Sequence, residues 1–483
     1  MSLASSLSTA ISGLNVTARR AEIVSSNIAN ASTPGYAVRS LEVTSQQNGG
    51  GVREVSVTRN TDPILLAQRR SSDAEYQAAS ARADFHRGLA GAIGQPQDPN
   101  SLGASVVRFE TALVDAASRP ESPAALTEIV NEGQRLATKI NTVSAQIGEA
   151  RQNADTQIDL TVTRLNAALE QVADINKEII QMTGQGRETA SLQDQRQQVI
   201  DQIAQEIPLT EVDRGRGQLA LYSAGGLALL DGSNVAEFGF SPRAMITPDL
   251  SAGAGTLSQL TVNGRDVDAL ADRSLVGGGR LAALFEVRDE IAPAAQGQID
   301  AVARDFIERF QSASADPTLA TGDAGLFTDS GGNFDPLLEL GIAARIAFTP
   351  LTDPAQGGDI SLLRDGLGAA VQGPVGDATQ LQRLANALTE GRATVSGGFT
   401  AASRSAAVLT SDLLSMTSVE LADQETRESF AASLNQTLRT EELRNGVDTD
   451  TEMQQLLVIE QAYAANARII ETISEMLDTL TRL

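Results

Sequence analysis

The chain has no cysteine, no tryptophan, a single histidine and only 3% aromatic residues. Without cysteine there are no disulfides and no thiolate metal sites. With His86 as the one histidine, histidine-based catalysis and most zinc sites fall away. No apolar run approaches the ~20 residues a membrane-spanning helix needs. The opening stretch MSLASSLSTAISGLNVTARR lacks a basic start followed by an apolar core, so no secretory signal is expected. Positive charge is scarce as well: 37 Lys and Arg against 61 Asp and Glu leave a formal net charge of −24. That excludes nucleic acid, whose binding depends on cations that neutralise phosphates, and argues against anionic membranes. Solubility is the plain reading of the charge.

What is present is aliphatic. Hydrophobic residues make up 41% of 483, so cores are expected to be built from Ala, Leu, Ile and Val, a composition suited to long helices at close range. The length exceeds the roughly 250–300 residues at which single cores stop growing.

Residues 3–30 carry a heptad seam: Leu7, Leu14, Ala21 and Ile28 in one row, Leu3, Ala10, Thr17 and Val24 in the other. The C-terminus repeats it with Leu456, Tyr463, Ile470 and Leu477 beside Ile459, Asn466, Ile473 and Leu480, where Asn466 is a polar residue of the kind that fixes register. Gly446 closes the helix before it, and Thr449 with Glu452 fits a capping box. A lone stripe has little to pack against, so both ends are expected to be mobile until they meet neighbouring subunits.

Between the ends, residues 124–181 predict one long helix, with its seam running Ile129, Leu136, Ile140, Val143, Ile147, Ala154, Ile158, Val162, Leu165, Leu169, Val172 and Ile179. The register steps by four near Ile158, a stutter. Further helices are expected at 62–93, 191–206, 280–312, 377–391 and from about 400 onward. An extended pair is expected at 36–44 and 52–58, after the Pro34–Gly35 break and across the spacer Gly49, Gly50, Gly51. Alternating runs between glycine turns predict a β subdomain at 209–279, and Gly, Pro and Asp dominate a loop-rich excursion at 313–376.

The fold expected is therefore mainly α with a smaller β part: an elongated, rod-like body of long antiparallel helices, terminal helices paired as a coiled coil, and a β-rich insert. Residues 1–64 with 411–483 form the terminal assembly domain, and 65–208 with 280–312 and 377–410 the helical body.

Candidate chemistry is thin. Gly277-Gly278-Gly279-Arg280 precedes a helix but lacks the Gly-Lys-Ser/Thr ending of a phosphate loop. Asp448, Asp450 and Glu452 alternate like calcium ligands without the required glycine, and fit the first turn of a helix better. His86 sits on a charged helix beside Phe85 and Arg87. No spaced nucleophile or carboxylate motif stands out, so no catalysis, cofactor or metal is expected.

The segment Asn27-Ile28-Ala29-Asn30-Ala31-Ser32-Thr33-Pro34-Gly35-Tyr36 resembles the N-terminal signature of the axial proteins of the bacterial flagellum, which make up its rod, hook and junctions. Gly446-Val447-Asp448, Glu452 and the run Glu460 to Ala467 are similar to the C-terminal partner signature. Four further features resemble, within that family, the members joining hook to filament: Pro34 followed by Arg39, Leu192 to Arg196, Gly225 to Gly232, and Gly279 to Asp289. Residues 313–376 match nothing in the family, and Thr449 stands where it usually has leucine.

The resemblance implies export through the flagellar type III apparatus without a cleaved signal, and an extracellular place between hook and filament. Its implied partners are the hook protein, the next junction protein, copies of itself in a ring, and a cytoplasmic export chaperone, with no nucleic acid and no membrane insertion. The assembly residues are then Leu3, Leu7, Leu14, Val24, Ile28, Leu456, Ile459, Tyr463, Asn466, Ile470, Ile473, Leu477 and Leu480, with Asn27, Asn30, Thr33, Pro34, Gly35 and Tyr36 forming the turn. The rival expectations are a hook or distal rod protein, and a secreted hydrolase anchored by flagellar-type ends.

Overall fold

A computed structural model describes residues 3–33, 35–46, 50–271 and 273–482, so Pro34 and Gly49 lie outside the described residues. Helix α1 (Leu3–Ala29) leads into the antiparallel hairpin β1 (Val38–Ser45) and β2 (Val52–Asn60), where Val38 pairs with Asn60 and a bulge sits at Glu42/Val43. Helices α2 (Pro63–Ile93), α3 (Leu102–Ser118), α4 (Pro123–Gly184) and α5 (Ala190–Glu206) follow. The predicted set lacks α3.

The 62 residues of α4 make a rod of about 93 Å at ~1.5 Å per residue. Ser122 caps its first turn by accepting from the Ala125 N–H at 3.3 Å, with Pro123 at the first helical position. Every residue of the predicted seam from Ile129 to Ile179 is buried, because the apolar stripe is the only face that gains by leaving water.

The β subdomain follows α5. A four-stranded meander of β3 (Leu209–Gly215), β4 (Gln218–Ser223), β5 (Ala228–Asp231) and β6 (Asn234–Val235) stands beside a three-stranded sheet of β7 (Phe238–Gly239), β8 (Leu260–Val262) and β9 (Arg265–Val267). Side-chain amides of α4 pin it: Asn166 donates to the Phe238 carbonyl at 2.7 Å and accepts from its N–H at 2.9 Å, and Asn176 donates to the Leu219 carbonyl at 2.8 Å.

Helix α6 (Gly279–Glu286) runs through a π-turn (Val287–Ile291) into α7 (Ala292–Phe310). The wholly buried Arg288 on that turn meets Asp155 of α4 and Asp289, each at 2.7 Å, and donates to the Ser258 carbonyl at 2.9 Å. The triple glycine before α6 is a close-packed junction. A Cβ on Gly279, which has φ +70°, would lie 2.4 Å from the Glu206 carbonyl oxygen.

Residues 313–376 hold β10 (Phe327–Asp329), α8 (Ile342–Arg345), β11 (Ile346–Phe348) and α9 (Leu362–Asp365). The expected loop-rich excursion is docked, not loose. Phe327 and Phe348 join Phe109, Phe306 and Phe310 in a cluster with ring centroids 5.4 to 6.1 Å apart. Gly133 of α4 admits the Phe348 ring, since a Cβ there would lie 2.3 Å from it. The expectation of a purely aliphatic core is corrected here, because few phenylalanines suffice when they converge on one spot.

Helix α10 (Thr379–Thr389), the bridge pair β12 (Arg392–Ala393) and β13 (Ser403–Arg404), α11 (Ala406–Arg444) and α12 (Thr449–Arg482) complete the chain. Helix α11 lies antiparallel along α2: Asp73 meets Asn435 and Arg439, while Arg87 meets Glu425 and Glu428. The boundary expected at 410/411 thus falls inside one unbroken helix, and the structural break comes at Asn445–Asp448. The cap of α12 is also one residue earlier than the Thr449–Glu452 box. The Asp448 carboxylate accepts from the N–H groups of Asp450 at 3.0 Å and Thr451 at 3.3 Å, because a carboxylate there satisfies two otherwise orphaned donors.

Candidate assembly interface

Helices α1 and α12 pack against each other. Their order is antiparallel: the turn after α1 and the residues before α12 line one cavity, while Gly13 lies against Asn466 further along. A Cβ on Gly13 would sit 3.0 Å from the Asn466 amide, so the polar seam residue meets the one position with room for it. The chain thereby gives its two ends a partner in each other.

The predicted residues divide into two sets. Val24, Ile459 and Ile473 are buried, and Leu3, Leu7, Leu14, Ile28, Leu456, Asn466 and Ile470 are half-buried. Tyr463 at 45%, Leu477 at 38% and Leu480 at 57% stay exposed. With Leu457, Val458, Ile469 and Met476, also exposed, α12 carries an apolar surface that α1 does not cover. Val16 and Ile23, outside both heptad rows, are buried too, on a helix that also packs on the hairpin.

The turn residues act as a structural staple. The Asn27 side chain accepts from Tyr36 Oη at 2.8 Å and from the Arg39 N–H at 3.1 Å, and donates to the Arg39 carbonyl at 3.0 Å. Asn30 donates back to the Ser26 carbonyl at 2.9 Å and accepts from Thr33 Oγ1 at 3.3 Å. Gly35 has φ +76°, and a Cβ there would lie 2.8 Å from Gln198 Cγ. These contacts fold the chain from helix into strand and aim Arg39 at the body.

Asp194 of α5 receives it. Its carboxylate accepts from Arg39 at 2.7 Å, from Arg59 Nε at 2.6 Å and from the Ala37 N–H at 3.4 Å. Two segments that resemble the flagellar proteins, the N-terminal turn and Leu192 to Arg196, therefore meet in space. Beside this clip, Arg69 reaches Asp73 at 2.6 Å, Asp201 at 2.7 Å and Glu442 at 2.9 Å, and Arg70 pairs with Asp201 and Glu211. Burial disfavours the charge of Arg69, yet Asp201 and Glu442 raise its pKa above the ordinary value. Burial likewise opposes the Asp73 carboxylate, but hydrogen bonds from Asn435 and Arg439 with the nearby Arg69 hold its pKa low. Nothing in local sequence marks this network, whose partners are separated by up to 366 residues.

The three acidic residues at Asp448, Asp450 and Glu452 form a helix start, and among the described residues no group of His, Cys, Asp and Glu could hold a metal. No described helix is long and apolar enough to cross a membrane.

Three family descriptions match the chain in order. "Flagella basal body rod protein" matches residues 7–36, "Flagellar hook-associated protein FlgK helical domain" 92–327, and "Flagellar basal body rod FlgEFG protein C-terminal" 444–483. The Flagellar hook-associated protein 1 of Bacillus subtilis is 24% identical over 98% of this chain and 96% of its own length. The chain is thus similar to flagellar hook-associated protein 1 at both ends and through its helical middle. The protein of that name from Escherichia coli is 23% identical over 67% of this chain and 59% of its own length. That from Salmonella typhimurium is 25% identical over 50% and 45%, so the match spans nearly all of one relative and about half of the enteric ones. The two rod-protein matches fall on α1 with its turn and on α12, the elements that pair here.

Proposed function

We propose that this chain is a non-catalytic structural subunit joining the flagellar hook to the filament, assembling through its terminal helix pair. The observation that carries the reading is the exposed apolar surface of α12, left uncovered by α1 in a helix pair whose sequence matches axial proteins at both ends. Covering a leucine-sized side chain contributes about 1.5–3 kcal/mol, so several together stabilise a ring of copies. The hook protein, the next junction protein and further copies of this chain are the partners that this surface serves. Export through the flagellar apparatus with a cytoplasmic chaperone, to an extracellular site, belongs to the same reading. A hook or distal rod protein is disfavoured by the match of residues 92–327 to a junction-protein helical domain. An anchored hydrolase would need a carboxylate pair or nucleophile in 209–376, and no such arrangement supports it.

The test is position and assembly together. Labelled protein in sheared flagella should lie between hook and filament. Leu477→Asp with Leu480→Asp should leave the monomer folded, since both side chains are exposed, while filament subunits are shed into the medium. Normal filaments in that double variant would refute the proposal.

A further inference from the structure

The body carries a second surface that the terminal pair does not use. A cleft of about 580 Å³ opens between α2, the π-turn leading into α7, and α11. Leu89, Ile291, Ala295 and Met416 give it an apolar lining, and Glu286, Glu290 and Glu420 stand around it. Glu286 is held by Arg82 at 2.6 Å. Among the described residues Glu290 and Glu420 have no ion-pair partner. The other cation on this stretch of α2, Arg87, is engaged by Asp84, Glu425 and Glu428.

Two further polar groups line the same cleft. His86 is 8% exposed, and its Nδ1 is buried with no hydrogen-bond partner; the Oε1 of Gln424 is in the same condition. Burial lowers the pKa of His86, with Glu420 and Glu286 opposing, so the ring is neutral near pH 7. An apolar hollow that gathers carboxylates and unsatisfied polar atoms, with its neighbouring cations already committed, is complementary to a long cationic side chain. The alkyl stem fits the floor and the charged head meets the acids.

We propose that this cleft receives an Arg or Lys side chain carried on an apolar segment of a partner protein. Charge complementarity selects a partner other than this chain, whose copies each carry −24. Because the chain has one histidine, its imidazole resonance reports on the cleft alone. The experiment titrates histidine-labelled full-length protein with the capped peptide Ala-Leu-Arg-Leu-Ala, using Ala-Leu-Gln-Leu-Ala as control. The resonance should move and saturate with the arginine peptide, and bind the glutamine peptide about tenfold more weakly. Glu290→Gln with Glu420→Gln should weaken arginine-peptide binding by about tenfold at unchanged melting temperature. No movement at millimolar peptide, an equal response to both peptides, or an unchanged affinity in the double variant would overturn the assignment. Movement with the protein's own concentration and no peptide would assign the cleft to a second copy, and also overturn it.

Discussion

In the body, apolar side chains from Phe85 in α2 to Leu413 in α11 close one continuous core that also takes in the β subdomain and residues 313–376. The terminal unit is built differently. No described residue of α1, the β1–β2 hairpin or α12 belongs to that core, and its charged attachment runs through Asp194 with Arg39 and Arg59 and through Arg19 with Glu188. Both regions use the same aliphatic residues, yet one buries its stripe and the other leaves part of it in water. The difference teaches how a subunit can be rigid in itself and still incomplete. Hydrophobic burial is non-directional and fixes the body as a block. Charge pairs are directional, so they set where the terminal pair sits without merging it into the block.

The largest expected effect lies in the core. Phe327 touches four other rings, and Phe327→Ala should cost about 3–5 kcal/mol of unfolding free energy, read from urea denaturation. A loss below 1 kcal/mol would mean the cluster is not what docks residues 313–376. Next comes the clip. Asp194→Ala strands two half-buried guanidinium groups, and breaking such a pair costs about 3 kcal/mol. That loss should fall on the attachment of the hairpin alone. Protease should then release the terminal unit early while the body's melting temperature stays put, and a matching fall in the body's transition would erase the distinction drawn here.

The smallest effect is the pH response of Asp73. Its folded pKa is lowered, so its contribution is present above the unfolded value of about 3.9 and is lost as pH falls through the folded one. Asp305 on α7 has the opposite sense. Burial raises its pKa against the pull of Arg309, so its contribution is present below the unfolded value and fades as pH rises through the folded one. Acidification should therefore loosen the α2–α11 contact near Asp73 before it harms the rest of the body. Hydrogen exchange in α11 followed from pH 7 to pH 3 would show this, and Asp73→Asn should flatten that response.

Much of the architecture was legible in the residues themselves. The seam of α4, the span of α5 and the β1–β2 hairpin follow from local periodicity and turn chemistry, which a linear string carries in full. The site was legible only in part. Heptad rows placed Ile459 and Ile473 on the stripe, but they also gave Tyr463, Leu477 and Leu480 equal standing. Periodicity names a face and not which part of it a neighbour covers. Asp194 looked like any acid on a helix, and the phenylalanines looked sparse.

The sequence by itself determined that this chain would be helical, acidic, without disulfides and striped at both ends, because composition and spacing along one helix are local properties. Only the tertiary structure decided which stripe residues α1 covers, which acid receives Arg39, and where an acidic cleft opens beside His86. Each of those depends on groups tens to hundreds of positions apart, brought together when long helices fold back on one another, and no local periodicity encodes that meeting.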